Sequence, residues 1–162
     1  MNHASHSLTR HGLAMILIGL ILGLVYLVFL LGALDLRPLP IFVELSLPGS
    51  ERGWRVAHIG ALVNGIFAIV LGYAVERAQL SNQSAIWAAR FLIFAIWANL
   101  IFYLLGNIAP NHGLSWEGNR FGPSNWAGIL AYSLAAIGSL TSITGVFIIL
   151  KGCLGSARRD QI

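Results

Sequence analysis

Four apolar stretches, Gly12–Leu34, Val56–Val75, Ile86–Ile108 and Trp126–Leu150, divide this 162-residue chain, and no other feature limits its fold so strongly. A helix rises about 1.5 Å per residue, so about 20 apolar residues cross the ~30 Å hydrocarbon core of a bilayer. Each stretch reaches that length. The composition agrees: 57% of residues are hydrophobic and only 10% are charged, whereas soluble domains carry about 25% charged residues. The first stretch is too long for a signal-peptide core and shows no clear cleavage site, so it counts as a span. The sequence predicts an all-α integral membrane protein. Residues 1–162 form a single membrane domain, and its spans, near 12–34, 56–75, 86–108 and 126–150, make a four-helix bundle in the lipid bilayer.

The net charge of +4 would suggest nucleic acid in a soluble protein. Here the basic residues sit at span ends, where they set topology, and no nucleic-acid partner is expected. Arg10, Arg77, Arg90, Lys151, Arg158 and Arg159 fall on one side; Arg37, Arg52, Arg55 and Arg120 fall on the other. That is a small bias towards cytoplasmic termini. The single cysteine, Cys153, lies past the last span, so no internal disulfide forms, and no CxxCH haem-attachment motif is present.

The connection around Glu76–Ala85 is short, so spans two and three form an antiparallel hairpin. The connections Asp35–Arg55 and Ala109–Asn125 are long and fall at the same end of the bundle. They hold Asp35, Glu44, Glu51, Glu117, His112, Trp54 and Trp116, and a structured cap is expected there. Gly19-x3-Gly23 reads as close helix packing. The stripe Ala57, Ala61, Gly65, Ala68, Gly72 permits close approach by a helix or by a flat ligand. Ser139, Thr141, Ser142 and Thr144 read as hydroxyls bonding their own backbone.

Against this background the polar exceptions stand out. Asn99, Tyr103 and Asn107 recur every four residues in span three, and about one turn separates each from the next, so they share a helical face. Polar groups at membrane depth are costly and mark functional sites. No Asp or Glu lies in the core of any span, which argues against a proton-coupled carrier. Span two adds His58 and Asn64. His58, near a span end, reads either as an interfacial hydrogen-bonding residue or as a metal or haem ligand. Asn64 reads either as helix-to-helix glue or as part of a site. His3 and His6 are read as a tail, His11 as the mouth of span one and His112 as a loop residue; none of the four is taken as a ligand. One histidine within reach of the core is too few to clamp a haem from both faces, and a single ligand leaves the other axial position open for binding and activation.

Three segments carry a family resemblance: PGSERGWRVAHIGALVNG at 48–65, WANLIFYLLGNIAPNHGL at 97–114 and GNRFGP at 118–123. The combination GW-x3-H-x5-N with WAN-x3-Y-x3-N-x2-P-N resembles styrene oxide isomerase, a small four-helix membrane enzyme family of bacterial styrene degradation. The resemblance implies a homotrimer in the bacterial inner (cytoplasmic) membrane, with one ferric haem b per protomer at the subunit interface. It places the axial iron ligand on His58 and the catalytic residues on Asn64 and Tyr103; Asn99 and Asn107 would support them. The implied reaction is a Meinwald rearrangement. An apolar aryl epoxide such as styrene oxide becomes an aldehyde, phenylacetaldehyde, by ring opening on a Lewis-acidic iron and a 1,2-hydride shift. A styrene mono-oxygenase that makes the epoxide would be the upstream partner. The chain departs from the expected pattern at Ala95, one turn before Asn99, where the family carries an acid. The polar loop after span three would form the lid or mouth of the site. The competing readings are a non-catalytic haem-binding anchor or electron-transfer subunit, and a non-enzymatic bundle such as a channel.

Overall fold

The computed structural model describes residues 3–159, in which four long helices follow one another: α1 His3–Leu31, α2 Glu51–Arg77, α3 Asn82–Ile108 and α4 Trp126–Arg159. All four are long and apolar enough to cross a membrane. In hydrocarbon a helix is the way a single segment satisfies its own backbone, which is why each apolar run becomes one.

The helix ends follow local chemistry. Ser50 caps α2, its hydroxyl accepting from the Gly53 amide at 3.1 Å, and Ser81 caps α3 by accepting from Ser84 at 3.2 Å. Asn125 does the same for α4, taking the Gly128 amide at 2.9 Å. Each cap satisfies an amide that the helix leaves unpaired. Glu51 in the first turn of α2 and Arg77 in its last complement the helix dipole.

Helix α1 begins nine residues ahead of the apolar run that predicts it. His3 and His6 are therefore helical and not a loose tail. Ala4, Ser5 and Leu8 are buried, and the Ser5 carbonyl lies against Gly72 of α2. The outward face of the segment is polar, so hydropathy undercounts it, while packing on α2 holds it in the helix.

The expected cap at the long-loop end contains a small antiparallel hairpin, β1 Ala33–Asp35 and β2 Phe42–Glu44, with Leu34 opposite Val43. Asp35 and Arg37 pair side chain to side chain within it, and this bond is the main reason the Asp35 carboxyl is held down at about 2. The third connection is knitted by Asn111, which is fully buried. Its amide nitrogen donates to the Ser115 and Glu117 carbonyls at 2.9 and 3.1 Å, and its oxygen accepts from the Gly113 amide at 3.0 Å.

Sequential neighbours pack side by side: α1 on α2, α2 on α3 and α3 on α4. α1 also touches α3, but α1 and α4 do not meet. The glycines set the closest approach. A methyl group at Gly12 would lie 2.7 Å from the Gly65 carbonyl oxygen, and one at Gly65 would lie 2.7 Å from that of Gly12. The small stripe Ala57, Ala61, Gly65, Ala68, Gly72 is buried, with Gly65 and Gly72 directly against α1, so a helix occupies it and not a flat ligand. In α4 the hydroxyls of Ser139, Thr141 and Thr144 bond carbonyls of their own helix, as predicted. The outer faces remain apolar: Leu13, Leu17, Leu20 and Leu24 of α1, and Ile137, Leu140, Ile143 and Phe147 of α4, are all exposed. That surface suits lipid or a second copy and would be untenable in water.

Candidate active site

Two polar arrangements lie on different faces of α2. The first joins α2 to α3. The Asn99 amide nitrogen donates to the Asn64 oxygen at 3.4 Å, and the Asn64 nitrogen donates to the Tyr103 hydroxyl oxygen at 3.4 Å. The two residues sharing a face of α3 thus converge on the one asparagine that α2 buries in its middle. The chain of bonds runs one way. Tyr103 accepts from Asn64, and its own hydroxyl proton has no acceptor among the described residues. A phenol held by its oxygen with its proton unused is a donor aimed at something else. The ring is seated by Gly60, where a Cβ would come within 2.4 Å of the Tyr103 ring edge.

The second arrangement joins α2 to α1 around His58. Its Nδ1 lies 2.7 Å from the Gly19 carbonyl oxygen. A carbonyl only accepts, so Nδ1 carries the proton and donates. Nε2 is then the nitrogen left to act as a ligand, as in a metal-binding imidazole braced through its other nitrogen. The ring packs over Gly23, where a Cβ would lie 2.8 Å from the imidazole Cε1. Gly19-x3-Gly23 therefore does more than ease helix packing: one glycine presents its carbonyl and the other leaves room for the ring. Residue type alone hides this. The signal that would have found it is the register, since an antiparallel α1 brings Gly23 level with His58.

Six residues separate His58 from Asn64. That is about 9 Å along the helix and about 120° around it. His58 therefore faces α1 while Asn64 faces α3. The structure brings Asn64, Asn99 and Tyr103 together, and keeps His58 apart from them within one copy.

Asn107, the third member of the α3 stripe, sits two turns nearer the loops than Asn99. Its side-chain oxygen accepts from the Ser50 backbone amide at 2.8 Å and from the Ser50 hydroxyl at 3.3 Å. It ties the end of α3 to the start of α2 and makes no bond to Asn64 or Tyr103. Ala95 is buried beside Gly138 of α4, on a tight α3–α4 contact. His11 is engaged elsewhere: Trp97 Nε1 donates to its Nδ1 at 3.1 Å. His112 stacks edge-on against Phe121, with ring centroids 5.1 Å apart. Among the described residues no cluster of three or more His, Cys, Asp or Glu could hold a metal ion by itself.

A four-span membrane protein with a polar site between α2 and α3, and a histidine braced by a carbonyl on another face of α2, is the class that fold and geometry define. Comparison with known proteins narrows it. The model of the styrene oxide isomerase family matches residues 4–154. The chain is also 30% identical over 150 residues to styrene-oxide isomerase of Pseudomonas fluorescens, a similarity covering 88% of each chain. The chain belongs to the styrene oxide isomerase family.

Proposed function

We propose that this protein isomerises styrene oxide and related aryl epoxides to aldehydes in the membrane, with ferric haem b bound through His58. The observation that carries the catalytic reading is the unused Tyr103 proton, held in place by Asn64 and Asn99. Family membership supplies the reaction class.

His58 fits a haem. Its Nδ1 donates to the Gly19 carbonyl, which leaves Nε2 as the nitrogen that can bind iron. When bound, the haem supplies a Lewis acid for the epoxide oxygen. The chain's own residues do the rest. Tyr103 donates its hydroxyl proton as a hydrogen bond to that oxygen as charge builds there. Asn64 and Asn99 fix the phenol so that little reorganisation is needed during the reaction. The benzylic C–O bond breaks, and the adjacent aryl ring spreads the positive charge. A hydride moves from the neighbouring carbon and the oxygen becomes a carbonyl. Atoms and electrons balance within the one molecule, so no co-substrate is consumed. Water would trap the cation as a diol; apolar helices around the site exclude it.

The divergent directions of His58 and Asn64 on α2, about 120° apart, support a site completed by a second copy, in which His58 of one protomer would meet the Asn64–Tyr103 pair of the next. A homotrimer, as the family resemblance implies, closes such a head-to-tail arrangement. The apolar outer faces of α1 and α4 leave ample surface for it. On this reading the protein sits in the bacterial inner membrane and receives its substrate from a styrene mono-oxygenase.

The deciding experiment is spectroscopy of the detergent-solubilised protein together with an assay of styrene oxide. A Soret band that His58→Ala abolishes, with conversion to phenylacetaldehyde in the wild type, is the expected result. Haem without conversion would favour the alternative, an electron-transfer or anchor subunit. No Soret band at all would sink both.

A further inference from the structure

A cavity of about 150 Å³ lies where the start of α2 and the end of α3 part, with Tyr103 at its membrane end and the third connection over it. Val56, Phe102, Leu114 and Phe121 give it apolar walls. Ser50, Arg52, Asn107 and His112 line the rest, so the cavity pairs an apolar side with a polar one, and its volume is about that of a void that takes up benzene.

The space is built to stay open. Asn107 pins the start of α2 through Ser50. Gly53 faces that asparagine so closely that a Cβ there would overlap its side chain, and a Cβ at Gly106 would come 2.9 Å from the His112 carbonyl oxygen. In the roof Asn111 holds its loop from within, and Phe121 touches the His112 ring and the Arg120 guanidinium, 4.7 Å from its ring centroid. A pocket formed before its ligand arrives loses little to ordering on binding.

We propose that this cavity receives the aryl ring of the epoxide, with Val56 and Phe121 setting the size of ring accepted. The inference rests on the isomerase reading above. Tyr103 lines the membrane end of the cavity while its hydroxyl reaches on to Asn64, so a phenyl group seated here leaves its epoxide on the Tyr103 side. Val56 and Phe121 act as positioning residues: they hold the part of the substrate that does not react.

The test uses the full-length protein loaded with haem. Val56→Trp fills the cavity from a half-exposed helix position, and Phe121→Ala enlarges it from an exposed loop. Ethylbenzene, which keeps the ring but has no oxygen, serves as a competitive inhibitor. Val56→Trp should raise KM for styrene oxide and Ki for ethylbenzene together, each about tenfold or more, which reads as lost ring binding. Phe121→Ala should improve KM for a 2-naphthyl epoxide relative to styrene oxide. Both variants should keep the wild-type ratio of Soret to protein absorbance, because neither residue touches His58 or its Gly19 brace. If KM and Ki stay within about twofold of wild type in both variants while the wild type makes phenylacetaldehyde, the cavity assignment fails and the isomerase reading stands. A wild-type protein that leaves styrene oxide unchanged overturns both.

Discussion

Tyr103 accepts one hydrogen bond and has one left to give, and that asymmetry is what separates it from the other polar groups between the helices. Tyr103→Phe should keep the ring on Gly60 and remove only the donor. The expected loss is about 10²–10³ in kcat with a small change in KM, the size found for deleting one donor to a developing oxyanion; turnover of styrene oxide to phenylacetaldehyde measures it. Asn64→Ala should lower kcat as well, since the phenol loses the amide that orients it. At the hairpin, Asp35 tells a different story. Its carboxyl is held at about 2 against an ordinary 3.8, chiefly by the Arg37 side chain. A depressed carboxylate contributes above its unfolded value and is lost as pH falls through the folded one. The pair should therefore be intact from about pH 5 upward, and a pH profile of activity over that range should carry no trace of it. The sequence made Asn64, Asn99 and Tyr103 legible, because each is a polar exception in an apolar run. It did not reveal that Asn107 bonds Ser50 and not Asn64 or Tyr103, since spacing assigns a face of α3 but not the partner that face meets at each level.

Helix pairs turn these residues into a site. The α1–α2 pair exists at its close spacing because glycines face glycines and one of them faces an imidazole. Gly23→Leu should drive His58 off the Gly19 carbonyl. The expected result is loss of most of the bound haem at an unchanged level of membrane-inserted protein, read from the ratio of Soret to protein absorbance. At the loop end, Asn107→Ala leaves the half-buried Ser50 amide without its partner, and stability should fall by about 1 kcal/mol, the worth of one ordinary hydrogen bond; the Tm in detergent measures it. Hydropathy located all four helices, because crossing hydrocarbon imposes length and apolarity on the sequence itself. It missed the first turns of α1, where a polar outer face conceals a buried inner one, and it missed the β1–β2 hairpin, whose strands are three residues long and carry no periodic signal.

At the scale of the whole molecule, the two polar arrangements lie on different faces of one helix, about 120° apart. If neighbouring copies join them, inactive variants should complement. His58→Ala and Tyr103→Phe should each lack activity alone, while co-expression should restore part of it, because some mixed assemblies pair an intact histidine with an intact tyrosine. No recovery in purified mixed oligomers would place both halves in one copy and contradict the proposed interface. Native mass spectrometry of the wild type should give three copies.

The linear sequence determined the membrane environment, the number of spans and the short list of polar side chains within them, since each follows from the transfer cost of residues one at a time. The family emerged from spacing in three segments. What only the tertiary structure decided was direction: that His58 leans on α1 with Nδ1 as donor, that Asn64 turns to α3, that the small-residue stripe of α2 is filled by a helix, and that a cavity opens beside Tyr103. Those facts depend on which turns of antiparallel helices stand level with one another. Register is set by the fit of many side chains at once, glycines above all, and no single residue carries it.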